Sequence, residues 1–102
     1  MEKMICGITV EVNEEGYLTN FSQWCREIGE EIAGETDITL TPRHWEVINY
    51  LQGEFKKESP LSIRRIGKSE VVDIKEFYAL FPKAPLKTAS RIAGIPKPAS
   101  CI

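Results

Sequence analysis

The stretch LTPRHWEVINYLQGEF, Leu40–Phe55, decides how this chain folds. Thr41 offers a side-chain oxygen to the free N–H groups of a helix start. Pro42 falls on the first helical position, where its missing N–H costs nothing. Trp45, Ile48, Leu51 and Phe55 recur at spacings of three and four, so the segment predicts an amphipathic helix running to about Lys57 with one buried stripe.

Working toward the C-terminus, Ser59-Pro60 repeats the cap-and-proline pattern and predicts a short helix through Ile66. Asp73 and Glu76 have the spacing of a capping box for a helix from Ile74 to Phe81, stopped by Pro82. Pro85 opens another helix, with Leu86, Ala89, Ile92 and Ala93 facing inward and Gly94 as its stop. Toward the N-terminus, Asn20 caps an expected helix over Phe21–Ala33. Phe21, Trp24, Cys25, Ile28 and Ile32 form its apolar stripe, and Gly34 ends it. Before that, Met4–Cys6 and Thr9–Val12 flank Gly7 as a β-hairpin, followed by a turn at Asn13-Glu14-Glu15-Gly16. The expected fold is mainly α, of the α+β class. An N-terminal hairpin lies on a small helical bundle that contains a helix-turn-helix-like pair over Thr41–Lys68.

The 102 residues suit one compact domain, and 42% hydrophobic against 27% charged residues is an ordinary soluble composition. With 13 Lys and Arg against 15 Asp and Glu, the formal charge is −2. Direct nucleic-acid binding is therefore not expected, because phosphate recognition calls for a basic excess. The charge is nevertheless polarised. Glu11, Glu14, Glu15, Glu27, Glu30, Glu31 and Glu35 crowd the N-terminal part, whereas Arg64, Arg65, Lys68, Lys75, Lys83, Lys87, Arg91 and Lys97 populate the C-terminal part. That polarity suggests a basic C-terminal part docking on acidic partner surfaces. No run approaches the ~20 apolar residues of a membrane span, and the first residues do not read as a secretion signal. A cytoplasmic protein is expected. Three cysteines (Cys6, Cys25 and Cys101) argue against a disulfide framework. His44 is the one histidine, so neither a metal site nor a cofactor is expected.

After Gly94 the character of the chain changes. Residues 92–102 read as a C-terminal arm attached to a body of residues 1–91, with Gly94 as hinge and Pro96 and Pro98 as stiffeners. Cys101 stands near its tip. A thiol there can enter another protein's active site without moving the fold, and Arg91 and Lys97 would favour its thiolate or touch a partner. The residues alone equally admit a mobile tail that happens to carry a cysteine. Cys25, on an apolar stripe, reads as a buried inert thiol, and Cys6 as a turn residue. His44 reads as a structural hydrogen-bonding side chain, with a helper of Cys101 as the alternative.

The ending LFPKAPLKTASRIAGIPKPASCI resembles that of the DsrC/TusE family in its Leu-Phe-Pro segment, its Ile-Ala-Gly-Ile-Pro-Lys-Pro arm and its penultimate cysteine. Gly16-Tyr17-Leu18, Ser22-Gln23-Trp24 and Leu40–Phe55 extend the likeness over nearly the whole chain. The resemblance implies a hairpin on a helical bundle with a flexible arm. It also implies that Cys101 accepts a persulfide sulfur and hands it on, a sulfurtransferase-type carrier rather than a stand-alone catalyst. The two-cysteine branch of the family has a second arm cysteine, which here falls on Ser90. Its absence puts the chain on the TusE-like side, with a TusBCD-like donor and an MnmA-like acceptor in tRNA thiolation. A DsrC-like partnership with dissimilatory sulfite reductase is the alternative, and a helix-turn-helix DNA-binding regulator is the third reading. The segment between Arg65 and Asp73 is shorter than the family leads one to expect.

Overall fold

A computed structural model describes residues 1–59, 61–82 and 84–96. Strands β1 (Glu2–Ile5) and β2 (Ile8–Glu11) pair antiparallel, with Glu2 opposite Glu11 and Ile5 opposite Ile8. Cys6 and Gly7 connect them at φ +53° and +73°. Two successive left-handed residues match the strand twist, which is why two-residue hairpins favour glycine here. The next turn is built by Asn13, whose Oδ1 accepts from the N–H groups of Glu15 and Tyr17 at 2.9 and 3.0 Å. It returns the chain so that Leu18 bridges to Val12.

The expected helix over Phe21–Ala33 is split. A single 3-10 turn, Phe21–Gln23, is capped by Asn20, and α1 (Arg26–Glu35) begins only after an extended break at Trp24 and Cys25. Tertiary partners explain the break. Gln23 Oε1 accepts from the Glu11 N–H at 2.8 Å, while the Trp24 indole reaches a carbonyl 68 residues away. A continuous helix would not aim both side chains so. Cys25 is accordingly the residue before α1, and it is half-buried rather than sealed in a stripe. The helix also outlasts Gly34. It ends at Glu35, and the chain reverses at Asp37, with φ +59°.

Helix α2 (Pro42–Lys56) starts where Thr41-Pro42 indicates. The Thr41 hydroxyl accepts from the His44 N–H, and His44 Nδ1 accepts in return from the Thr41 N–H at 3.1 Å. Its buried face is His44, Val47, Ile48, Leu51 and Gln52, with Trp45 and Phe55 only half-buried against the core. The stripe is thus rotated from the one the apolar residues trace, because it admits two polar side chains. Helix α3 (Ile63–Gly67) starts later than Ser59-Pro60 suggests, since Ser62 supplies the cap by accepting from the Arg65 N–H at 3.1 Å. Helix α4 (Ile74–Leu80) is capped by Asp73. A Cβ on Gly67 would meet Ile74 Cγ1 at 2.5 Å, so α3 and α4 touch through the bare glycine backbone.

Helix α5 (Pro85–Ala93) packs on α1 and α2. Its Leu86, Ala89, Ile92 and Ala93 join Ile28, Ile32, Ile48, Leu51, Phe77 and Phe81 in one core. Ile92 and Ala93 complete α5, and Ile95 is only 1% exposed, so the body extends at least to Ile95. Among the described residues no helix is long and apolar enough to cross a membrane.

Candidate functional site

Cys101, Lys97 and Pro98 lie outside the described residues, as does Pro60. What the structure describes is the place where the C-terminal segment leaves the body. There α5 closes with Gly94 in the left-handed region at φ +74°. The Gly94 N–H donates to Arg91 O and the Ile95 N–H to Ser90 O, each at 3.2 Å. This is the Schellman pattern, with Ile95 as its buried hydrophobic contact. The two remaining carbonyls are taken by side chains. Trp24 Nε1–H donates to Ile92 O and Gln52 Nε2–H to Ala93 O, both at 2.8 Å. Gly94 is therefore the left-handed cap of α5 and lies under Trp24: a Cβ on it would stand 2.3 Å from Trp24 Cδ1. Pro96 follows on the surface.

Arg91 lies against the Asn13–Tyr17 turn. A Cβ on Gly16 would lie 3.5 Å from Arg91 Nε, an atom that is buried without a hydrogen-bond partner among the described residues. Ser90 occupies the position of the missing second arm cysteine. It is fully buried, and its hydroxyl has no partner among the described residues. An orphaned buried hydroxyl is destabilising, so Ser90→Ala is expected to raise stability by ~1 kcal/mol in urea titration. A loss of that size would show that Oγ has a partner.

His44 serves the fold. It is 7% exposed, and Nε2–H donates to Leu80 O at 2.9 Å while Nδ1 accepts within the α2 cap. These partners assign the tautomer. The ring also stands edge-on to Phe81 at 5.2 Å between centroids. Nδ1 thus closes the α2 cap, and Nε2 joins α2 to the end of α4.

Cys6 is exposed but unsuited to nucleophilic work. Hydrogen bonding to the Glu31 carboxylate, then desolvation and the negative charges of Glu31 and Glu27, push its thiol up to about 11. Its Sγ–H donates to Glu27 O at 3.1 Å. Alkylation of Cys6 by iodoacetamide at neutral pH is expected to run at least ~10-fold slower than that of a model thiol, since the thiolate is the reactive form. Equal rates in a mass-resolved labelling course would contradict this. Among the described residues no three His, Cys, Asp or Glu side chains are grouped to hold a metal.

The family model described as "DsrC like protein" matches residues 4–102.

The chain belongs to the DsrC family.

Within it, the chain is 42% identical to the sulfurtransferase TusE of Photorhabdus laumondii, with 94% of each chain covered. It is 37% identical to the gamma subunit of the dissimilatory-type sulfite reductase of Nitratidesulfovibrio vulgaris, over 94% of this chain and 93% of that one. The solved DsrC of Allochromatium vinosum superposes with a TM-score of 0.85 at 32% identity, each chain fully covered. The oxidised gamma subunit from Archaeoglobus fulgidus gives 0.81 at 32% identity, also over both full chains. The hairpin-and-helices architecture of this DsrC-family chain is therefore shared with its solved relatives. The DNA-binding reading finds no support among them.

Proposed function

We propose that the chain is a sulfur carrier whose Cys101 accepts a persulfide sulfur and passes it on, in a relay of the TusE kind. The observation that carries this is the 42% identity to a TusE sulfurtransferase over 94% of the chain, with the match to the family model running on through residue 102. The arm cysteine is single, because Ser90 stands at the other arm position.

The chemistry needs little machinery. The Cys101 thiolate attacks the outer sulfur of a donor persulfide, the S–S bond of the donor breaks, and the donor leaves as a thiolate. The new persulfide on Cys101 is attacked in turn by an acceptor thiol, which regenerates the Cys101 thiolate. One sulfur atom moves at each step with no net oxidation. The rate follows thiolate fraction and access, both of which a partner's pocket can tune, with Lys97 as a contact there. The donor would be a TusBCD-like complex and the acceptor an MnmA-like 2-thiouridylase, in the cytoplasm.

The second reading is a partner of dissimilatory sulfite reductase, favoured by the 37% identity to that enzyme's gamma subunit. Ser90 counts against it, since no disulfide between two arm cysteines can form. Incubating the persulfidated chain separately with a 2-thiouridylase plus its tRNA and with a sulfite reductase discriminates the two. The relay reading expects labelled sulfur in 2-thiouridine. Label lost only to the reductase would replace it with the second.

A further inference from the structure

The last turn of a helix ordinarily leaves its final carbonyls to water and frays. In α5 none is left. The Schellman bonds take the Ser90 and Arg91 carbonyls, and side chains from two other elements take those of Ile92 and Ala93. Trp24 lies in the break before α1 and Gln52 in α2, so the helix end is gripped from two separate elements. Gln52 is itself 8% exposed, a polar amide on the core face of α2 whose hydrogen bond goes to Ala93 O. Gly29 makes room for the grip: a Cβ there would stand 3.0 Å from Ile92 O and 3.1 Å from Trp24 Cζ2. The indole then covers Gly94, where a Cβ would stand 2.3 Å from Trp24 Cδ1.

We propose that Trp24 and Gln52 are positioning residues for sulfur transfer, clamping the end of α5 so that Cys101 is presented from a fixed root. The inference rests on reading Cys101 as the carrier. From Ile95 to Cys101 the chain spans six residues, a reach of at most about 20 Å. A partner cavity must therefore come within that distance of Ile95. Releasing the clamp frees residues 92–95 and lengthens the tether from six residues to about ten, which lowers the effective thiol concentration about twofold by length alone. The loss of direction adds to this. The reaction at the sulfur itself is unaffected.

The test uses Trp24→Phe, which keeps a ring over Gly94 but deletes the N–H, and Gln52→Met, which keeps the length of the side chain without a donor. Two readouts are taken: hydrogen exchange at the Gly94 and Ile95 amides, and sulfur transfer from persulfidated Cys101 to a 2-thiouridylase and to cyanide. The clamp predicts exchange at least ~10-fold faster at those two amides with α2 amides unchanged. It predicts a half-saturating protein concentration raised about threefold or more. The cyanide reaction should keep its wild-type rate. Unchanged exchange in both variants overturns the clamp, and faster exchange with unchanged half-saturation overturns its role in positioning. If wild-type Cys101 never transfers sulfur, the carrier reading fails, and the exchange rates alone then decide whether the clamp exists.

Discussion

Gly94→Ala is expected to cost ~3 kcal/mol or more of stability and to lower the melting temperature by on the order of 15 °C. Two effects add. The left-handed conformation at φ +74° costs any residue with a Cβ about 1 kcal/mol. The larger part comes from Trp24. The new methyl would stand 2.3, 2.6 and 2.8 Å from its Cδ1, Cγ and Cβ, too near the Trp24 backbone for a ring rotation to relieve. The indole must move bodily, breaking its bond to Ile92 O and its stacking on Phe21, whose ring lies at 6.2 Å and 7°. Gly34→Ala is the control. Nothing lies within 4 Å of that Cβ, the site is an exposed helical one, and a gain of ~0.5 kcal/mol is expected. Urea titration of both variants checks the contrast; equal effects would mean that Trp24 does not seal the helix end.

The second large effect is expected at His44. His44→Ala should destabilise the protein by ~3 kcal/mol, from the lost capping contact, an unpaired Leu80 carbonyl and the vacated edge of Phe81. Persulfide loading of Cys101, measured where the variant is still folded, should equal wild type. The two readouts separate a structural histidine from a chemical helper. A stable variant with impaired loading would reverse the assignment.

Much of this architecture was legible because local chemistry and tertiary packing agree. Thr41-Pro42 and Pro85 to Gly94 bound real helices, and Gly7 marks a real two-residue turn. Two of the departures come from side chains recruited by distant partners, and a third from a local cap. The spacing of Phe21, Trp24, Cys25, Ile28 and Ile32 fits a single helix, yet the bond from Trp24 to Ile92 O breaks it. Gln52 lies off the apolar stripe of Trp45, Ile48, Leu51 and Phe55, and its carbonyl partner lies 41 residues away. Ser62, rather than Ser59-Pro60, caps α3 through a bond to the Arg65 N–H.

The candidate site divides in the same way. The sequence singles out Cys101 by its position on a proline-rich ending and by the likeness of that ending to a known family, and it lies outside the described residues. The surroundings of the arm's root were not legible. Arg91 packs against the turn at Gly16, and Gly94 is a cap sealed by an indole. No periodicity along a single segment could report either contact, because each joins α5 to residues before α1.

The central claim concerns one sulfur atom. Intact-mass measurement of the reduced protein after incubation with a persulfide donor, beside Cys101→Ser, tests it most directly. The account predicts one added sulfur on the wild type that dithiothreitol removes, and none on the variant. Equal loading of the two proteins, through Cys6 or Cys25, would contradict it.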